Sequence, residues 1–213
     1  MRNENALTLS PQNAFRRADE SSDQDFYVFP RFVTHVDDQA IAIVTNLYRE
    51  FFPAEGAILD LMSSWVSHLP EEVKYSRVVG LGLNAAELEA NPRLTERVVQ
   101  NLNAEPHLPF NDAEFDAAAI CVSVQYLIQP TVVFGELWRV LKRGAPLVVT
   151  FSNRCFPTKA VFAWNALDDE GHIALVREYF VAGSRFSEPE VRGFEPRGSD
   201  PLFAVIGRAG KNE

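Results

Sequence analysis

The chain has 213 residues, 46% of them hydrophobic and 23% charged, and a formal net charge of −9. That is enough apolar material for one sizeable core, and the acidic balance with no basic run argues against a nucleic-acid partner. No apolar run reaches the roughly 18 residues needed to span a bilayer, and Met1 is followed by polar residues rather than a signal-peptide core. Two cysteines, Cys121 and Cys155, give neither a disulfide framework nor metal-ligand spacing. The expectation is a soluble, cytoplasmic protein with no metal and no membrane partner.

Residues 1–24 are polar and aperiodic and read as a flexible or loosely docked N-terminal arm, with 25–213 as a single domain. The run Phe26-Tyr27-Val28-Phe29-Pro30-Arg31-Phe32-Val33 is too apolar to stand in water, so it is expected to pack on the domain or cover its site. Asp37 and Asp38 open a helix whose Ala40, Ile41, Val44, Leu47, Tyr48 and Phe51 share one face, stopped by Pro53 and Gly56. A strand follows at 57–61 and a second at 77–81. Asn84 caps a short helix over 85–90, closed by Asn91-Pro92. A weaker third strand is expected over 96–102, and a continuously apolar strand over 115–124. A helix from Pro130 ends before Gly144, and a strand covers 146–151. Two helical stretches, 158–167 and 170–181, precede late strands near 190–195 and 202–208. Strands alternating with helices at this spacing predict a parallel sheet with helices on both faces.

From Leu108 the chain reads Leu-Pro-Phe110, then Phe115-Asp116 opening an apolar strand, then Glu136-Leu-Trp-Arg139-Val-Leu-Lys142-Arg-Gly144 and another apolar strand. This ordered set resembles the class I S-adenosylmethionine-dependent methyltransferases, in particular the small-molecule enzymes related to type 11. The stretch Leu59-Asp60-Leu61-Met62-Ser63-Ser64-Trp65-Val66-Ser67-His68 further resembles a cyanobacterial and chloroplast-like branch of that group. The resemblance implies a Rossmann-like, seven-stranded, mostly parallel α/β sheet with an antiparallel C-terminal strand. It implies S-adenosyl-L-methionine as cofactor and a small-molecule methyl acceptor.

In such a sheet ligands sit beyond the carboxyl ends of the strands, at the switch in strand order. The cofactor is therefore expected against Asp60, Leu61, Met62, Ser63 and Ser64 after the first strand and Gly82, Leu83 and Asn84 after the second. Leu102, Asn103 and Ala104 follow the third strand, with Asn103 meeting the adenine, and Ser123 and Val124 follow the fourth. Tyr126, Asn153 and Arg154 are the candidate acceptor-binding residues, and His35 the candidate general base. Asp116 reads as structural, and Glu136 with Arg139 as an ion pair.

Two departures from the family stand out. The turn after Asp60 is normally rich in glycine, yet no glycine occurs between Leu61 and Val79. The acid that family members place after the second strand, to hold the ribose hydroxyls, is Gly82 here. They motivate a rival expectation, a non-catalytic module that kept the fold with weak or no affinity for the cofactor.

Overall fold

The computed structural model describes residues 13–182 and 185–210. Seven strands form one sheet: β1 (Ala57–Leu61), β2 (Arg77–Gly82), β3 (Glu96–Val99), β4 (Ala117–Cys121), β5 (Pro146–Phe151), β6 (Glu190–Phe194) and β7 (Leu202–Arg208). Their order is β3-β2-β1-β4-β5-β7-β6. The first five pair in parallel, and β7 inserts antiparallel between β5 and β6. The order reverses between β1 and β4, which places the switch point beyond Leu61 and Cys121.

The apolar residues of the strands alternate between two cores, as a sheet covered on both faces requires. Leu59, Leu61, Val79 and Leu81 face one core with Val133, Phe134 and Leu137 of α4 (Pro130–Val140) and Val176 and Phe180 of α6 (Asp169–Ala182). Ile58 and Val78 face the other with Ala40, Val44, Leu47 and Tyr48 of α2 (Asp38–Phe51) and Leu88 of α3 (Ala85–Ala90). The Asp37 carboxylate accepts from Ala40 N at 2.9 Å, and the Asn84 side chain accepts from Glu87 N at 3.1 Å, so both N-caps form where the sequence puts them.

The motif at 108–144 has a structural explanation. Glu136 and Arg139 pair at 2.7 Å, but they also clasp the Leu-Pro-Phe turn. Leu108 N donates to Glu136 at 2.8 Å, and Arg139 donates to the Leu108 and Phe110 carbonyls. Asp116 accepts from Ala57 N and Lys142, fastening the start of β1 to the end of α4.

Several boundaries differ from the sequence reading. The fourth strand spans only 117–121, because Phe115 pairs with Leu141 outside the strand and Val122 takes φ 47°, which ends the extended run. The third strand stops at Val99. Only Phe162–Asn165 (α5) of the expected 158–167 is helical. A short helix, α1 (Asp23–Phe26), and a single 3₁₀ turn at Val124–Tyr126 lay outside the sequence expectations.

The described part of the arm, 13–24, is docked rather than loose. Arg17 and Asp23 are buried and bond at 2.6 Å, and the fully buried Lys159 donates to Ser21 O at 2.8 Å. Backbone bonds from Asp19, Phe162 and Ala163 sew the segment to residues 158–163. Residues 1–12 of that arm lie outside the described residues. The aromatic run splits: Phe26 packs on Phe156, while Phe29 and Phe32 are 78% and 51% exposed.

Candidate functional site

The carboxyl ends of β1, β2 and β4 open into a cavity of about 330 Å³, at the lower end of the range typical of small-molecule sites. Its floor is the turn after β1 with the ends of β2 and β4. Its roof is the segment 23–36, held there because Asn84 Nδ2 donates to Tyr27 O at 2.8 Å and Trp65 Nε1 donates to Val33 O at 3.0 Å.

The turn keeps a left-handed bend without glycine. Met62 has φ 57°, the first position after β1, and Ser63 N donates to Leu81 O at 2.8 Å, bending the turn toward β2. Left-handed backbone costs a non-glycine residue about 1–2 kcal/mol. Five such residues occur among the described ones, and Met62, His68 and Val122 of these line the cavity. Val122 is β-branched, for which the conformation is least tolerated. Backbone strain of this kind tends to cluster at ligand-binding sites.

Asp60 sits beneath this turn, 5% exposed. Its Oδ2 accepts from the hydroxyls of Ser63 and Ser67, each at 2.6 Å. Burial raises the Asp60 carboxyl to about 6, and the two serine hydroxyls hold it from going higher. Gly82 is explained by contact. A Cβ there would stand 2.2 Å from Ser63 O, so the turn occupies the space of any side chain at this position.

Of the sequence-predicted residues, Asp60, Met62, Ser63, Ser64, Gly82, Leu83, Asn84, Leu102, Asn103 and Ser123 all line the cavity, as do Tyr126, Arg154 and His35. Four do not: Leu61, Ala104, Val124 and Asn153. Leu61 and Val124 are wholly buried in the core, Ala104 lies in the turn that bonds back to Asn101, and Asn153 is on an exposed bend. Asn103 is at the wall, but its side chain is spent: Nδ2 donates to Asp23 and Tyr126 O, and Oδ1 accepts from Ile128 N. Its amide therefore does not stand ready for an adenine. The Asn84 side chain is likewise committed, to its helix cap and the roof. Arg154 donates through Nε to Asp200 at 2.8 Å. The Ser123 hydroxyl is buried with no hydrogen-bond partner among the described residues. His35 lies 5.5 Å from the Phe156 ring, and partial burial lowers its imidazole below the ordinary value, with Glu87 opposing and Arg31 assisting.

Residues that sequence reasoning did not select also shape the site. Arg31 stacks over Phe26, Tyr27 and Phe156 and donates through Nη2 to Phe26 O. Glu87 joins roof to floor, accepting from Arg31 N at 2.7 Å and from the Ser64 hydroxyl at 2.6 Å. The only sequence signal at Glu87 is its spacing from Asn84, which reads as a helix capping box. The structure turns the Glu87 side chain to the cavity instead.

The strand order, the single antiparallel strand and a cavity at the switch point define the class I S-adenosylmethionine-dependent methyltransferase fold. The methyltransferase domain family matches residues 62–149. Over residues 62–149 the chain thus matches a methyltransferase domain, on a fold shared with methyltransferases whose cofactor is S-adenosyl-L-methionine. Among solved structures it is similar to a S-adenosylmethionine-dependent methyltransferase from Thermotoga maritima, at 18% identity over 80% of this chain and 89% of that one, with a TM-score of 0.56. One from Mesorhizobium loti gives 16%, 76%, 96% and 0.54. The [4+2]-cyclase SpnF gives 15%, 89%, 92% and 0.61. At these identities the likeness is one of fold. No protein of curated function matches the chain.

Proposed function

We propose that this protein transfers the methyl group of S-adenosyl-L-methionine to an oxygen, nitrogen or carbon of a small molecule held beneath the segment 23–36. The observation that carries this is the left-handed Met62 after β1, a turn that keeps its bend at the cost of strain although its glycines are gone. Asp60, Ser63 and Ser64 at the turn, with Leu83 and Leu102 on the nucleoside side, suit a cofactor lying across the ends of β1 and β2.

When bound, S-adenosylmethionine supplies an electrophilic methyl on a sulfonium. The protein's share is alignment and exclusion of water, because an in-line displacement needs little covalent help. The roof, with Tyr27 and Arg31, shields the cavity from solvent, and Tyr126 fixes the loop after β5 by accepting from Phe156 N at 2.9 Å. His35, whose imidazole partial burial holds below the ordinary value, is the group placed to take the proton of an acceptor hydroxyl or amine on a ring nitrogen. Arg154 keeps donors beyond its bond to Asp200 for an acidic group of the acceptor.

Calorimetric titration with S-adenosylmethionine and S-adenosylhomocysteine tests the reading. Micromolar binding that weakens in Asp60→Ala supports it. No heat and no thermal shift at millimolar cofactor sinks it. That outcome would favour the second reading, a non-catalytic binding module, which rests on Gly82: the Ser63 carbonyl leaves no room there for a ribose-binding acid.

A further inference from the structure

Arg17, Arg31, Arg154 and Lys159 line the cavity, and all but Arg31 have an acid among the described residues. Arg17 bonds Asp23 at 2.6 Å, and Lys159 lies 3.3 Å from Asp19 and 3.6 Å from Asp23. Arg154 pairs with Asp200 at 2.8 Å. Glu87 meets Arg31 through the backbone N–H, not through the guanidinium. A guanidinium stays charged, yet here only Nη2 is engaged, donating to Phe26 O at 2.9 Å. Nη1 is buried with no hydrogen-bond partner among the described residues. A half-buried cation with an idle donor is costly to keep, so it needs an explanation.

The aromatic packing fixes where that charge sits. The guanidinium carbon lies 4.7 Å from the Phe26 ring centroid, 5.1 Å from Tyr27 and 5.4 Å from Phe156. Phe156 follows β5; its ring stacks on Tyr126, just past β4, at 6.1 Å and meets the His35 ring at 5.5 Å. Arg31 thus stands toward the β4–β5 end of the cavity, away from the turn between β1 and β2 that the cofactor reading uses. The rings shield it from water on those sides, which strengthens its attraction for an acid. One uncompensated cation matches one negative charge, so a planar carboxylate suits it better than a doubly charged phosphate. The candidate base packs on the same ring as the cation.

From this placement we propose that the methyl acceptor is a small carboxylic acid, its carboxylate held by Arg31 and its nucleophilic oxygen or nitrogen turned to His35. The assignment rests on the cofactor reading above and gives the acceptor its chemical class.

The protein is saturated with S-adenosylhomocysteine, and benzoate, phenylacetate and lactate are compared with their neutral amides by ligand-observed NMR titration. Native protein is expected to bind the acids about ten- to a hundredfold more tightly than the amides, the ratio one charged hydrogen-bonded pair supplies. Arg31→Met keeps an unbranched side chain between the rings and is expected to erase that preference. Equal binding of acids and amides by native protein, binding of neither, or a preference that survives in the variant overturns the proposal. Arg31→Gln, which keeps a donor for Phe26 O, provides the same comparison if the methionine variant folds poorly, with the same expected and refuting results. A second titration separates the acceptor's acid from the cofactor's own. S-adenosylhomocysteine and 5′-methylthioadenosine, which lacks the amino-acid portion, are titrated calorimetrically into native protein and Arg31→Met. An unchanged ratio of the two affinities supports the proposal. A loss confined to S-adenosylhomocysteine assigns Arg31 to the cofactor's carboxylate, which overturns the proposal and leaves the cofactor reading intact. Native protein that binds neither nucleoside overturns both.

Discussion

Restoring the acid at position 82 is an instructive perturbation, because family resemblance and structure forecast opposite results. Resemblance says that Gly82→Asp regains a ribose contact and tightens cofactor binding. The structure says that it damages the fold. Gly82 has no left-handed φ, so its backbone would accept aspartate, and the whole penalty comes from the Cβ lying 2.2 Å from Ser63 O. Relief requires the turn to retreat by roughly 1 Å to reach ordinary contact distance. The turn is pinned by Ser63 N to Leu81 O at 2.8 Å and by the Ser63 hydroxyl to Asp60 at 2.6 Å. Overpacking costs about 1–3 kcal/mol, and a weakened bond to a charged group about 1.5–3 kcal/mol, so a loss of roughly 2.5–6 kcal/mol is expected. At about 2–4 °C per kcal/mol for a chain of this size, the melting midpoint should fall by roughly 5–24 °C. Thermal and urea unfolding measure it, with Gly82→Ala as the control. Alanine carries the same Cβ without the charge and should cost nearly as much. A Gly82→Asp protein that melts with the native one and binds S-adenosylhomocysteine more tightly would refute the steric argument.

Three further outcomes are expected. Asp60, raised from 3.8 to about 6, is protonated in the folded protein where the unfolded chain is already ionised. Its contribution to stability is greatest below about pH 4 and declines as pH rises through 6, by about 3 kcal/mol in all. Asp60→Asn should remove that decline, and parallel unfolding curves for the two proteins between pH 4 and pH 7 would contradict the assignment. Asp23→Ala leaves Arg17 and Lys159 buried without their shared partner and should cost about 3–5 kcal/mol; it should also expose residues 13–24 to limited proteolysis, and resistance equal to the native chain would count against the docking. At position 62, glycine should be at least as stable as methionine, whereas valine should lose about 1 kcal/mol or more, because φ 57° suits a β-branched residue worst. Urea unfolding ranks the three, and a valine variant equal to native protein would show the turn to be unstrained.

The sheet was legible because its central strands are uniformly apolar. Ala57–Leu61, Arg77–Gly82 and Pro146–Phe151 fall where hydrophobic runs bounded by polar residues put them. The floor of the cavity was legible by the same logic, since strand ends and the switch point fix Asp60, Gly82 and Ser123 without reference to side-chain detail. The cover over the site was anticipated by the aromatic run at 26–33, but the docking of residues 13–24 was not: it joins Lys159 to Ser21, 138 residues apart, and a polar segment held by buried ion pairs looks in sequence like one that is solvated. Glu87 was hidden for another reason: its local pattern has a sufficient structural meaning, and only the tertiary fold shows where its carboxylate goes. Asn103 shows the same limit from the other side: sequence places its amide at the cavity wall, and only the tertiary fold shows that it bonds Asp23, the Tyr126 carbonyl and Ile128 N.

The contact between Ser63 and Gly82 also constrains the route by which such a sequence can arise. With an acid still at position 82, the turn could not have settled onto β2, because its carbonyl would meet that side chain. Once the turn has settled, the acid cannot return. The change at 82 must therefore come before or together with the present turn, and thereafter it acts as a ratchet. Grafting either segment alone into a glycine-turn relative, or the relative's segment into this chain, should give a worse protein than either parent, whereas exchanging both together should not.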